Sequence, residues 1–186
     1  MRIVLAGLLD AILMFVWTSI AHMATPLGSI GFSKISNEQP VLDVLKQNVG
    51  AKAGLYFFPW VDPNDPKMMD KSAALMKTNP SGLMIYQPAG ARFSMGPMLL
   101  KEFAKEFLQC LLAAYLLSLT ALTAYAGRVG FIAVVGVFAA LGSDTSYWIW
   151  YGFPLSYTLA VIAMPLIGII LAALGMALVV KPSRPD

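Results

Sequence analysis

Four apolar segments dominate the chain and constrain its fold more than any other feature. Three of them, residues 3–21, 107–126 and 154–180, each approach the roughly 20 residues that a helix needs to cross the hydrocarbon core of a bilayer. The fourth, residues 129–142, is shorter and can still cross. Because lipid offers no hydrogen-bond partners, every backbone N–H and C=O must pair within its own segment. The sequence therefore predicts four membrane-spanning helices.

The composition supports a membrane protein and excludes several functional classes. Hydrophobic residues make up 58% of the 186 residues and charged residues 12%, which excludes an ordinary soluble domain. The 13 basic residues are scattered along the chain, so nucleic acid is not an expected partner. With one cysteine, Cys110, and one histidine, His22, the chain cannot form an internal disulfide, a bis-histidine haem or a four-ligand His/Cys zinc site. The sequence identifies no cofactor.

The predicted fold is an all-α integral membrane protein, a four-helix transmembrane bundle running up-down-up-down. Lys and Arg set its orientation: Arg2, Arg128, Lys181 and Arg184 fall on one side, and the connection 143–153 on the other side has no basic residue. Both termini are therefore expected in the cytoplasm, with a bacterial inner membrane as the expected cell membrane. The predicted segments are helix 1 at 1–22, an extracytoplasmic insertion at 23–97, helix 2 at 98–126, helix 3 at 128–147, helix 4 at 154–180 and a cytoplasmic tail at 181–186.

The insertion between the first two helices has the pattern of a small α+β unit. Residues 40–48 are typical of a short helix, 54–60 of a strand, 66–77 of a second helix and 83–87 of a second strand. A unit of this size rarely buries enough apolar surface to be stable alone. We expect it to rest on the outer ends of the helices or on a partner.

Asp10 is the main intramembrane polar candidate. An ionisable group about two turns inside a spanning helix costs ~2.5–3.5 kcal/mol on insertion scales and marks a functional site by default. Three interpretations stay open. The carboxyl group can be structural, bonded to Thr120, Thr123 or Tyr125 or paired with Arg128; it can handle protons or ions; or it can contact a helix of a partner subunit.

An outer-face recognition surface is the second candidate. It consists of His22, Asp144, Tyr147, Trp148, Trp150 and Tyr151. Aromatic side chains at the depth of the headgroups explain most of it. So many aromatic rings also suit a binding surface for a quinone, a pigment, a lipid or another subunit. A pair between His22 and Asp144 is geometrically possible.

Small residues spaced four apart predict close helix packing. The pairs are Gly7/Ala11, Ala114/Ser118, Gly136/Ala140 and Gly168/Ala172. Pro165 is expected to kink the fourth helix. Seven of the eleven methionines fall on the outer insertion; thioethers suit Cu(I), and they equally suit adaptable apolar packing.

Three functions follow as hypotheses, and none of them assigns a catalytic or metal-binding residue. The leading one is a non-catalytic accessory or structural subunit of a membrane protein complex. It would bind membrane lipid and either other membrane subunits or further copies of itself. The alternative is a small transporter or channel component that uses Asp10 and the kink at Pro165. The third is a partner-dependent redox or copper-handling membrane protein.

Overall fold

The computed structural model describes residues 2–91 and 93–183, and it is mostly helical. The elements in chain order are α1 (Arg2–Met23), a 3-10 helix (Pro26–Ser29), α2 (Glu38–Asn48), β1 (Gly54–Phe58), α3 (Met68–Thr78), β2 (Gly82–Tyr86), α4 (Met95–Ser118), α5 (Tyr125–Tyr151) and α6 (Leu155–Val179). They form two compact units. The helical unit comprises the chain up to Phe32 and from Ser94 onward, and the second unit is Ser33–Phe93.

Three helices, α1, α5 and α6, are long and apolar enough to cross a membrane. In α4, four charged residues occupy the N-terminal half, and only residues 107–118 form an uninterrupted uncharged stretch. Those twelve residues span about 18 Å of helix. Length and composition thus identify α1, α5 and α6 as candidate spanning helices, whereas the uncharged stretch of α4 is shorter than the bilayer core.

The helical unit is built around α1 and α6. α1 lies between α4 and α6, and α5 packs chiefly on α6. The core between them is made largely of alanine and sulfur-containing side chains, with the members Ala6, Ala11, Met14, Cys110, Ala113, Ala114, Leu117, Ile132, Ile169, Ala172, Ala173, Met176 and Val180. Small side chains let helix backbones approach closely, so dispersion contacts and backbone proximity hold these helices together.

The connection between α4 and α5 does not lie where the apolar pattern places it. The expected turn at residues 127–128 is inside α5, and the chain instead leaves the helix after Ser118 and re-enters at Tyr125. Arg128 explains the difference, because its buried side chain turns back onto α6. It donates to the carbonyl oxygens of Ala177 (3.2 Å), Leu122 (3.0 Å) and Val180. A guanidinium group at a helix C-terminus satisfies carbonyls that have no helical donor, so this basic residue stays helical.

The connection between α5 and α6 is shorter than expected. α5 continues through the predicted connection 143–153 to Tyr151, and Asp144 is therefore a helix residue. Gly152 ends α5 with a left-handed backbone conformation, φ 70°, which glycine adopts without steric cost. Pro154 then precedes the first turn of α6.

The Ser33–Phe93 unit contains the two helices and two strands that the sequence indicates. β1 and β2 pair antiparallel, with Leu55 opposite Ile85 and Phe57 opposite Leu83. On the other face the rings of Tyr56 and Tyr86 meet edge to face at 6.1 Å. Among the described residues of this unit, Tyr86 is the only buried hydrophobic side chain, and α2 and α3 bury none. The unit therefore lacks a core of its own.

Candidate functional site

One face of α1 carries two of the buried polar side chains of the described structure, Asp10 and Thr18. Asp10, Met14, Thr18 and His22 follow one another at intervals of four residues, so they line a single face of the helix. This face packs against α4 and α6. Asp10 and Thr18 are buried, whereas His22 is exposed at the end of the helix.

Asp10 lies against α6 at a glycine. Its side chain is 2% exposed, and a Cβ atom added to Gly175 would lie 2.5 Å from Oδ1. Oδ2 has no hydrogen-bond partner among the described residues. A buried carboxyl oxygen without a partner is costly, and such groups in membrane helices mark functional sites.

The partners expected for Asp10 are engaged elsewhere. Arg128 binds the backbone carbonyls named above, Thr120 Oγ1 donates to the carbonyl of Leu117 at 2.8 Å, and Tyr125 OH donates to the carbonyl of Leu174 at 3.1 Å. These expected contacts are therefore wrong. Sequence alone could not show this, because Asp10 Oδ1 lies where a side chain at position 175 would otherwise be, and Gly175 has none.

Glu106 is a second buried acid, which the sequence analysis did not identify. It is 0% exposed, and Thr18 Oγ1 donates to its Oε1 at 2.8 Å. Its Oε2 has no partner within the described part of the chain. The signal was available: Glu106, Cys110, Ala113 and Leu117 share the helical spacing of a buried face, but the charged neighbours Lys105 and Glu102 suggested an exposed turn.

Two sulfur atoms separate the two acids. Cys110 Sγ lies 4.0 Å from Met14 Sδ, at the α1 level midway between Asp10 and Thr18. Eight residues of α1 correspond to about 12 Å along the helix axis. Asp10 and Glu106 thus form two separate carboxyl sites on one packed face rather than a carboxylate pair that shares a proton.

The predicted outer-face residues divide into a ring cluster and an exposed edge. Tyr147 packs against Tyr151 at 6.0 Å and against Phe153 at 5.5 Å. Tyr157 continues the cluster, with Phe153 at 5.5 Å and Phe32 at 5.5 Å. Trp148 and Trp150 point outward, and Trp150 is 78% exposed. The aromatic end of α5 therefore combines a rigid base with projecting indole rings.

His22 and Asp144 do not form the pair that the sequence allows. His22 Nδ1 lies 2.9 Å from the carbonyl oxygen of Thr18, on its own helix. Asp144 accepts a hydrogen bond from the neighbouring Ser143 Oγ at 3.2 Å. The continuous α5 helix accounts for this, because it fixes Asp144 on a helix face instead of a mobile loop.

The small residues mark close contacts between helices of this chain. A Cβ atom on Gly7 would meet the Leu111 backbone of α4 at 3.1 Å, and one on Gly168 would meet Met14 Cγ of α1 at 3.1 Å. A Cβ atom on Gly136 would lie still closer to α6, at 2.7 Å from Ile169 Cγ2. Their predicted companions are buried as well, namely Ala11, Ala140 and Ala172.

No group of three His, Cys, Asp or Glu side chains suited to a metal ion occurs among the described residues. Nothing in the described part of the structure points to catalysis. Comparison with protein families, with curated proteins and with solved structures finds no match to this chain.

Proposed function

We propose that this protein is a non-catalytic accessory subunit of a membrane protein complex. In this proposal the chain crosses a bacterial inner membrane four times, with both termini in the cytoplasm and Ser33–Phe93 outside. α4 is then a crossing in addition to α1, α5 and α6. Its charged first turns lie at the outer surface, and α1 covers its buried acid, Glu106. The partner binds the exposed surfaces of the outer unit and of α5.

The observation that carries this proposal is the missing core of the Ser33–Phe93 unit. On one face of its sheet Leu55 is 65% exposed, and its cross-strand neighbour Ile85 is 76% exposed. Trp60 and Met69 add further exposed apolar surface. This unit lies outside the segments that lipid could cover, so contact with another protein is the simplest way to bury it.

α5 offers a second surface of the same kind. Val134, Phe138 and Leu141 project from the part of the helix that faces away from α6, and Trp148 and Trp150 extend this surface to the outer end. Tryptophan is enriched where protein interfaces are strongest. Since the tight glycine contacts serve packing within the chain, a partner would bind these large side chains instead.

Site-specific photo-crosslinking in native membranes tests the proposal. A photoreactive residue at Ile85 should capture one defined polypeptide, and one at Trp150 should capture the same or a second defined polypeptide. A probe at Asn48, on the exposed end of α2, is the control and should capture none. Crosslinks from Ile85 only to lipid would contradict the proposal. Crosslinks only to further copies of this chain would indicate a homo-oligomer instead of a complex with a different polypeptide.

A transporter component is the second candidate, and the two buried acids favour it. Among the residues that the structure describes, Asp10 and Glu106 each keep an oxygen without a hydrogen-bond partner inside the helical unit, as expected of groups that exchange protons during transport. The test measures proton flux into liposomes that contain the purified protein. Flux that is lost in both Asp10→Asn and Glu106→Gln, but kept in Glu102→Gln, would favour this candidate. Absence of flux in the unmodified protein would remove it.

A further inference from the structure

A cleft between α4, α5 and α6 lies apart from the two buried acids. Its volume is about 110 Å³, which is room for a group of a few non-hydrogen atoms and less than a drug-sized ligand needs. Gln109 of α4, Ser143 and Asp144 of α5, and Pro165 of α6 line it together with apolar side chains.

The cleft is lined by apolar residues around Gly136. Gly136 of α5 lies so close to α6 that an added Cβ atom would be 2.7 Å from Ile169 Cγ2 and 3.3 Å from Leu166 Cδ1. About one helical turn from Gly136, Ala139 and Ala140 form a wall of small side chains. Because these side chains end at Cβ, they leave room for a short hydrocarbon chain.

The other end of the cleft is rich in hydrogen-bond acceptors and carries a negative charge. Ser143 Oγ donates to the Ala139 carbonyl and to Asp144 Oδ2, both at 3.2 Å. Asp144 forms no ion pair with a described residue. An acidic side chain on a helix that can span a membrane needs a compensating positive group. Gln109 offers a further acceptor oxygen from α4.

Pro165 of α6 lines the cleft without adding a hydrogen-bond donor, because proline has no N–H. The site thus combines a carboxylate with neutral acceptors, and no described cation balances it.

We propose that this cleft binds a primary alkylammonium group, with the ammonium at Asp144 and a short apolar chain toward Gly136. An ammonium carries three N–H donors and one positive charge, which matches the acceptors and the carboxylate. The small residues of α5 accept the first carbons of the chain. A free alkylamine and the ammonium of an aminolipid headgroup share this chemistry.

The experiment uses the full chain in detergent without aminolipid, and it measures thermal unfolding and calorimetric binding with n-butylammonium. Butyrate and tetramethylammonium are the controls, since the first has the wrong charge and the second has no N–H donor. Butylammonium should raise the unfolding temperature with a saturable dependence, and neither control should do so. A second arm compares nanodiscs of phosphatidylethanolamine with nanodiscs of phosphatidylcholine. Stabilisation in detergent identifies a free amine as sufficient, and stabilisation only in phosphatidylethanolamine identifies the lipid.

Two variants locate the site, and one is the matched control. Asp144→Asn should weaken butylammonium binding by about tenfold or more, which is ~1.4 kcal/mol. Ala139→Leu should also weaken it by filling the cleft, while leaving the charge in place. Asp62→Asn, an exposed acid of the other unit, should bind as the unmodified protein does. If no amine and no aminolipid stabilises the protein beyond its controls, or if Asp144→Asn and Ala139→Leu both bind normally, the proposal is overturned.

Discussion

At the scale of single residues, Gly175 determines where the buried carboxyl group of Asp10 can lie. α1 and α6 approach so closely that Oδ1 occupies the position of the missing side chain. Polar side chains in membrane helices normally stabilise packing through hydrogen bonds, but Oδ2 has no partner in the described structure. The contact is therefore steric as much as polar, and it fixes the register of α1 on α6.

Gly175→Ala should destabilise the helical unit by about 1–3 kcal/mol, the usual cost of overpacking a close contact. Gly130→Ala is the matched control, because a Cβ atom there meets nothing within 4 Å; it should be neutral or gain up to ~1 kcal/mol from helix propensity. Denaturing-detergent titration followed by circular dichroism measures both. In an Asp10→Ala background the cost of Gly175→Ala should shrink, since the opposing oxygen is gone. Equal stability of the two glycine variants would contradict this contact.

At the scale of helices and strands, hydropathy finds the apolar segments but not their ends. α1, α5 and α6 match three of the predicted spans in place, whereas residues 119–124 contain neither glycine nor proline and are read as helix although they form the connection. Arg128 suggests a turn by its charge, yet it is helical because its guanidinium binds α6. Hydropathy depends on each side chain alone, whereas the position of a helix end and the burial of a charged residue depend on the groups that pack against that side chain. The same limit hid Glu106, whose burial depends on Thr18 of α1.

Arg128 is expected to hold the end of α6 in place, and Arg128→Lys tests this. Lysine keeps the charge but cannot reach three carbonyls that diverge as these do. We expect a loss of about 1–3 kcal/mol in unfolding free energy, from two or more weakened charge-assisted bonds to buried acceptors. Arg2→Lys changes an exposed residue and should have no measurable effect. The same detergent titration compares the two variants, and an unchanged Arg128→Lys protein would refute the expectation.

In the Ser33–Phe93 unit, Asp65 organises the start of α3 in a way that depends on pH. Its Oδ1 accepts from the Lys67 N–H at 2.8 Å, and its Oδ2 pairs with Lys71. The bond from Lys71 and then the bond from Lys67 lower the pKa of this carboxyl group below its ordinary value. The folded pKa is therefore below the unfolded one. The stabilising effect is complete above about pH 4 and is lost as the pH falls through the lowered folded value.

Asp65→Asn should accordingly increase amide hydrogen exchange at the start of α3 at pH 6. As the pH falls through the lowered pKa of Asp65, the difference from the unmodified protein should disappear, because the carboxylate then becomes protonated in the folded state as well. Asp70→Asn, on the first turn of the same helix, controls for the change in net charge. A difference that persists unchanged at low pH would show that the carboxylate charge is not its cause.

At the scale of the whole molecule, the chain combines a well-packed helical unit with a unit that has almost no interior. The helical unit buries alanine, methionine and two acids between its helices, while Ser33–Phe93 buries Tyr86 and exposes Leu55, Trp60 and Ile85. The two chain connections at Phe32 and Ser94 tether the second unit to the helical unit, in which α1, α5 and α6 can span a membrane. We interpret the second unit as one whose exposed apolar side chains become buried when it binds a partner.

The predicted threading places this unit on the extracytoplasmic side of the membrane. In a Cys110→Ala background, a cysteine at Lys71 should react with a membrane-impermeant maleimide in intact cells, because Lys71 is exposed on α3. A cysteine at Thr123, in the connection between α4 and α5, should react only after the cells are broken. The reverse pattern would invert the proposed orientation, and equal labelling of both sites in intact cells would show that α4 does not cross the membrane between them.

Native mass spectrometry of the protein released from its own membranes tests the accessory-subunit account most directly. The account predicts a defined complex that contains this chain and a different polypeptide, and it predicts that the double variant Leu55→Ser/Ile85→Ser loses that polypeptide while its helical unit keeps its stability. A chain that is released alone, with the double variant behaving identically, would contradict the account.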